Sequence, residues 1–327
     1  MVVTTVTAAT IRVPLDQPTI QDGINVAISG DTVLVSDGTY KGVGNRNINF
    51  GGKAIVVRSE NGATVTIVDV DSTLNRGFIF SSGEDTLSVL DGFTITRAIA
   101  DTGAGILIYG GSPKVLNCLF EKMWVAHFAY DGYSLLEHSP MGQGLAIIGN
   151  SHPVIRGCVF SKLLQWYSNG SYFWGGGMAV DFPASVLAED CSFEDIQNRW
   201  LNGGLGVALY DGGAGSQYRR CRFLRNGGSM IHGAAYSVPV FLLSSESRFD
   251  SCLFAWNLLD GDTWGGGTGA GAIWLRNSSA TITNCTFFGS TVSGWDWPLY
   301  DSAQEQRTSL RNSHRCSYPI ALSRLPE

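Results

Sequence analysis

Two aspartates, Asp181 and Asp211, each close a similar apolar run: Ala179-Val180-Asp181 and Leu209-Tyr210-Asp211. If the runs are equivalent strands on adjacent layers, stacking brings the two carboxyl groups to roughly the 5–9.5 Å that glycosidic hydrolysis requires. Their mutual repulsion would then split them into one acid and one base. Asp211 sits one position later in its run, so the competing expectation is two turn aspartates capping their own backbone. His232, in Ile231-His232-Gly233, is the third candidate catalytic group. His127, Asp131, His138, Asp260 and Asp262 are further titratable groups in neighbouring connections. Asp260-Gly261-Asp262 has a spacing compatible with calcium ligation, which needs more oxygens than two carboxylates supply. Calcium is therefore the one cofactor considered, and no other metal is expected. His152, ahead of Pro153, reads as a solvated turn residue, and Ser151-His152 lacks the Gly-x-Ser-x-Gly frame of a nucleophile elbow. Lyase chemistry would need a base with arginines holding an acidic sugar. Arg199, Arg219, Arg220, Arg222 and Arg225 could serve, although a solvated strand face explains them as well.

Aromatic residues gather in the same connections. Eight of the nine tryptophans fall there: Trp124, Trp166, Trp174, Trp200, Trp256, Trp264, Trp295 and Trp297. Flat aromatic faces stack on sugar rings, and unusually long loops on a regular scaffold commonly serve binding. Trp166, Trp174, Trp200, Trp264 and Tyr210 are the candidate substrate-binding residues. The four tryptophans border a saddle in which the shorter 194–203 and 224–232 loops lie between the longer 121–142 and 255–269 loops. The alternative is that the rings pack on one another and cover strand surface.

What would position these groups is a repeat. Six Cys-x-Phe pairs begin at Cys118, Cys158, Cys191, Cys221, Cys252 and Cys285, roughly thirty to forty residues apart. Before each cysteine stands Asn117, Gly157, Asp190, Arg220, Ser251 or Asn284, and five of these six tolerate a left-handed bend well. Upstream lie Gly105-Ile-Leu-Ile, Gly144-Leu-Ala-Ile, Gly177-Met-Ala-Val, Gly206-Val-Ala-Leu, Gly233-Ala-Ala-Tyr and Gly271-Ala-Ile-Trp. Each unit reads as a strand, a turn, a second strand, a one-residue bend and a third strand. Such a unit cannot bury its inward face alone. Stacking the next at about 4.8 Å pairs like strands and lines like side chains into ladders. The cysteines then read as core residues, since no Cys-x-x-Cys spacing suggests zinc. Leu90-Asp91-Gly92-Phe93-Thr94-Ile95 keeps the frame without the cysteine, and Ile20, Ile24 and Ile28 behind Pro18-Thr19 suggest a short capping helix.

The predicted fold is all-β: one right-handed parallel β-helix spanning 1–327. Residues 1–30 form the N-terminal cap, 31–290 the rungs, and 291–327 a last loop and irregular tail that caps the final rung. Charged residues make up 15% and hydrophobic ones 44%, enough for a sizeable core. A net charge of −6 with five lysines argues against a nucleic-acid partner. No apolar run is long enough to span a membrane, and the first residues lack the pattern of a signal peptide. A monomer is expected.

The segments Ile11-Arg-Val-Pro14, Pro18-Thr19-Ile20-Gln21, Gly30-Asp31-Thr32-Val33 and Asp37-Gly38-Thr39-Tyr40 open the chain, and Ser112-Pro113 and Asn117-Cys118 follow. Over residues 10–290 this pattern resembles the pectin-lyase-like right-handed β-helix superfamily. The resemblance implies the fold, and an extracellular or cell-surface protein acting on or binding a polysaccharide. The candidate activities are hydrolase or lyase chemistry in the loop-lined cleft; the alternatives are a non-catalytic carbohydrate-binding or adhesion module and a structural fragment of a larger surface protein. The polygalacturonase-type Asp-Asp pair, the pectate-lyase-type Arg-x-Pro-x-x-Arg and the epimerase-type Asp-Pro-His are all missing.

Overall fold

A computed structural model describes residues 7–125, 141–165, 173–198, 204–230, 238–261 and 272–293. Three long parallel sheets dominate them. A ten-stranded sheet runs from Thr10–Val13 to Ser279–Thr283, a nine-stranded sheet from Gly38–Tyr40 to Thr286–Phe288, and an eight-stranded sheet from Ile48–Asn49 to Ile273–Arg276. One rung visits them in turn, as in Ile106–Tyr109, Lys114–Leu116 and Leu119–Glu121. Each strand pairs with its equivalent one rung away, which is the expected solenoid.

The interior is a set of ladders. Phe120, Phe160, Phe193, Phe223, Phe254 and Phe287 stack nearly coplanar, with centroids 4.6 to 4.9 Å apart. Beside them Cys118, Cys158, Cys191, Cys221 and Cys252 are buried and Cys285 is half-buried, all as free thiols. Each later thiol donates to a carbonyl of the preceding rung, for example Cys191 to Ile155 at 3.5 Å and Cys252 to Tyr218 at 3.4 Å. Burial, reinforced by neighbouring thiols, holds Cys158 well above the usual thiol range. Their burial and carbonyl contacts make them packing residues.

The residue before each cysteine is left-handed, from Asn117 at φ 50° to Gly157 at 64°. Arg220 is the exception in type but not in conformation, with φ 53°, and its guanidinium holds Asp190 of the previous rung at 2.7 and 2.9 Å. A second left-handed column follows the nine-stranded sheet: Arg97, Lys122, Lys162, Asp195, Arg225, Trp256 and Gly289, with φ between 52 and 61°. A further short strand comes after it, and five of these form an additional sheet from Leu164–Gln165 to Thr291–Ser293. At that corner buried asparagines stack: Asn226 Nδ2 donates to the Phe193 carbonyl at 2.8 Å, Asn257 Nδ2 to the Phe223 carbonyl at 2.9 Å.

Three expected frames are corrected. Met178 pairs with Leu209, Leu209 with Val240 and Val240 with Ile273, so Ala208, Pro239 and Ala272, not Gly206, Gly233 and Gly271, occupy the position of Gly177. Gly206 instead takes the φ 69° turn position, matching Gly175 at 68°. Gly233 lies outside the described residues. At Gly177 a Cβ would lie 2.6 Å from the Ala208 carbonyl oxygen and 2.7 Å from a Phe193 ring carbon, so glycine at this residue permits the close approach.

The N-terminal end differs slightly from expectation. Helix α1 (Ile20–Val26) is capped by Thr19, whose hydroxyl accepts from the Asp22 backbone, and it buries Ile20 and Ile24. Ile28 lies beyond it and is exposed. Thr10–Val13, expected within the cap, is already the first strand of the ten-stranded sheet.

Candidate functional site

The outward face of the eight-stranded sheet carries the candidate groups. One outward row is Leu107, Ala146, Ala179, Tyr210, Phe241 and Trp274, set by successive pairings. Every member is buried. With Met141, Val238, half-buried Trp174 and Leu243, part of this row forms a second apolar layer outside the coil. Trp174 packs on Tyr210 with centroids 4.4 Å apart, and its Nε1 is buried without an acceptor among the described residues.

Tyr210 is 1% exposed, so it supports Trp174 rather than offering its own face to a ligand, a correction to its expected role. Burial, then the charges of Asp181 and Asp211, push its hydroxyl far above the usual phenol range, so it remains a proton donor. Gly212 brings Tyr210 and Asp181 together: a Cβ there would lie 2.6 Å from Tyr210 Oη and 3.4 Å from Asp181 Oδ1. Asp181 itself is half-buried.

The carboxylate pair does not form. The register matches Val180 with Asp211, an inward position, so Asp211 enters the coil while Asp181 faces outward. Asp211 is fully buried; its Oδ1 accepts from Gly213 N at 2.8 Å, and Oδ2 from Tyr218 Oη at 2.9 Å and Ser247 Oγ at 2.6 Å. Burial raises its pKa above the usual value against the pull of those donors. Asp211 was expected one position later in its run than Asp181; it sits one position earlier, and this one-residue offset turns it inward.

His232, Trp166, Trp200, Trp264 and Asp262 lie outside the described residues, as does most of the expected saddle and the tail from 294 onward. Asp260 sits in a strand, Leu258–Gly261, that pairs with Gly227–Met230 and Thr291–Ser293. Among the described residues no group of three or more His, Cys, Asp or Glu could hold a metal. Of the arginine cluster, Arg199 lies outside the described residues, and Arg219, Arg220 and Arg225 are ion-paired on an outer surface: Arg156 and Arg219 flank Glu189 at 2.6 and 3.5 Å, Arg220 meets Asp190 at 2.7 Å, and Arg225 meets Asp195 at 2.8 Å.

The turns leading from the eight-stranded to the ten-stranded sheet present exposed rings. Tyr109 is 42% exposed and lies over Gly149; Phe182, directly after Asp181, is 71% exposed. The same turns hold His152, exposed as expected, whose ring contacts Asn150 and Ser185. Neither the rings nor these contacts were anticipated. The available signal was position: Ser112, His152 and Ser185 each precede the next strand by two residues.

This geometry defines a single-coil parallel β-helix with an apolar outer layer on one sheet and a polar, aromatic turn edge. Residues 53–302 match the family model described as "Right handed beta helix region", and the chain belongs to that family. A comparison with curated proteins gives no match. Solved structures that align along most of the chain include pectin methylesterase from carrot, at 10% identity and a TM-score of 0.48 over 90% of this chain and 88% of that one. A mannuronic acid-specific family 6 polysaccharide lyase from human gut microbiota aligns at 13% and 0.35, over 86% and 83%. PfbA, a surface adhesin of Streptococcus pneumoniae, aligns at 10% and 0.29, over 88% and 93%.

Proposed function

We propose that this protein is a secreted or cell-surface β-helix that binds a polysaccharide along the turn edge of its eight-stranded sheet. The observation that carries this is two exposed rings at that edge, Tyr109 and, two rungs further on, Phe182, which directly follows the outward-facing Asp181. Rings of this kind provide flat apolar faces for the C–H surface of a sugar, and a carboxylate accepts from its hydroxyls. A binding role is favoured over cleavage by paired carboxylates, because Asp211 is sealed in the coil. A glycan microarray followed by titration of the best polysaccharide tests the reading. At about 1 kcal/mol per stacking ring, Tyr109→Ala with Phe182→Ala should weaken binding roughly 10-fold or more. Unchanged affinity in the double variant would refute it.

A further inference from the structure

The turns between the eight- and ten-stranded sheets stack like the strands they join. One column reads Ser112, His152, Ser185 and Gly215, each two residues before the next strand. The column is fixed by backbone contacts: His152 N donates to Ser112 Oγ at 2.9 Å, and Ser185 N donates to the Ser151 carbonyl at 3.0 Å. Across adjacent rungs, His152 Nδ1 lies 2.8 Å from Ser185 Oγ. On its other side His152 Nε2 lies 3.2 Å from Asn150 Oδ1.

An amide oxygen only accepts, so the contact with Asn150 places the imidazole proton on Nε2. Nδ1 is then left as an acceptor aimed at the Ser185 hydroxyl. A hydroxyl, a base within hydrogen-bond reach of it, and a third group orienting the base are the three parts of an activated oxygen nucleophile. His152 is exposed and Ser185 half-buried, so a substrate can reach both. The rings of Tyr109 and Phe182 flank the same turns: Tyr109 lies over Gly149, next to Asn150, and Phe182 is three residues before Ser185.

We propose that Ser185, His152 and Asn150 form a hydrolytic relay that removes O-acyl groups from a sugar hydroxyl. Its substrate class, an acylated polysaccharide, rests on the binding role proposed above. Ser185 Oγ attacks the acyl carbonyl carbon and its proton passes to His152 Nδ1, while the carbonyl π pair moves to oxygen. Collapse of the tetrahedral adduct breaks the bond to the sugar oxygen, which leaves with the proton from Nδ1. Water then gives a proton to Nδ1 and attacks the acyl-serine, and Ser185 departs carrying that proton. The products are a carboxylic acid and a free sugar hydroxyl, with no change of oxidation state. Asn150 touches neither substrate nor serine and acts as a positioning residue.

The test uses the full chain with 4-nitrophenyl acetate as substrate and diisopropyl fluorophosphate as trap. Ser185→Ala and His152→Ala should each lower kcat/KM by about 100-fold or more. Asn150→Ala should lower kcat while leaving KM unchanged. Peptide mass analysis should find the phosphoryl adduct on Ser185 in the wild-type protein and not in His152→Ala. Full turnover in Ser185→Ala would mean that the exposed imidazole acts alone, and would overturn the proposal. Absence of an adduct on wild-type Ser185 would overturn it without reliance on any variant. Neither probe carries a sugar, so trapping at Ser185 by a protein that binds no polysaccharide would defeat only the carbohydrate reading.

Discussion

Replacing Asp211 by asparagine and by alanine separates the two tasks of a carboxyl group enclosed in the coil. In Asp211→Ala, the Gly213 N–H and the hydroxyls of Tyr218 and Ser247 lose an acceptor in the interior. A buried donor left without a partner costs about 1–3 kcal/mol. Ser247 can still turn to Ser245 Oγ, 2.7 Å away, so the expected total is roughly 2–5 kcal/mol. In Asp211→Asn, the amide oxygen keeps the bond from Gly213, and its NH2 donates to a hydroxyl oxygen, so the loss should stay below about 1.5 kcal/mol near pH 4. The pH dependence follows from the raised pKa of Asp211. The folded protein binds this proton more tightly than the unfolded chain, whose value is near 3.8. The contribution is therefore present at low pH and is lost as pH rises from about 4 through the folded-state value. Urea titrations at several pH values between 4 and 8 should show wild type losing its advantage over Asp211→Asn as pH increases. If asparagine is as damaging as alanine, or if the difference between wild type and asparagine is flat with pH, this account of the buried carboxyl is wrong.

Other consequences are open to the same kind of measurement. Phe193→Ala removes a ring stacked on both sides and should cost about 3–5 kcal/mol in chemical denaturation, with Cys191→Ala nearer 1–3 kcal/mol. Both lie inside the coil, so polysaccharide affinity measured on the folded variants should not change. Asp69 gives the opposite pH limb to Asp211: burial pushes its carboxyl up, but donors from Arg97, the Asp71 backbone and Lys41 hold it below the usual value. Its contribution is present above about pH 4 and is lost as pH falls through the lowered folded value, a limb that Asp69→Asn should flatten in acid titration. Gly177→Ala should destabilise by more than an exposed Gly→Ala change, because its new methyl meets the Ala208 carbonyl and the Phe193 ring.

Legibility in the sequence followed the strength of local signals. The Cys-x-Phe ladder and the first bend could be read because their residue types carry the physics: small or amide residues at positive φ, apolar ones facing inward. The second bend escaped because Arg97, Lys122, Lys162, Arg225 and Trp256 are not residues that favour such a conformation. Stacking imposes the bend on them, and their exposed side chains conceal it. The frame slipped at Gly206 because two glycines in each earlier rung, such as Gly175 and Gly177, serve different ends, and only one of them persists there. Asp211 was expected beside Asp181 because Ala179-Val180-Asp181 was aligned with Leu209-Tyr210-Asp211, whereas Asp211 pairs with Val180, and a shift of one residue exchanges inside and outside. Tyr210 was misplaced for a related reason: outward on a strand is not outward to solvent when a second apolar layer covers the sheet. The Ser185–His152–Asn150 contacts join turns on successive rungs, and no local window contains all three.

The order of strands within each long sheet follows the order of the chain without a crossing. Such a molecule can be edited in length. Excising residues 190–219 would join Glu189 to Arg220, two neighbouring positions of the same frame, and would set Phe160 against Phe223 in place of Phe193. The shortened chain would keep its remaining registers and lose one layer of height. A gene of this kind can therefore gain or lose binding length by whole-rung duplication or deletion, leaving the flanking architecture as it was.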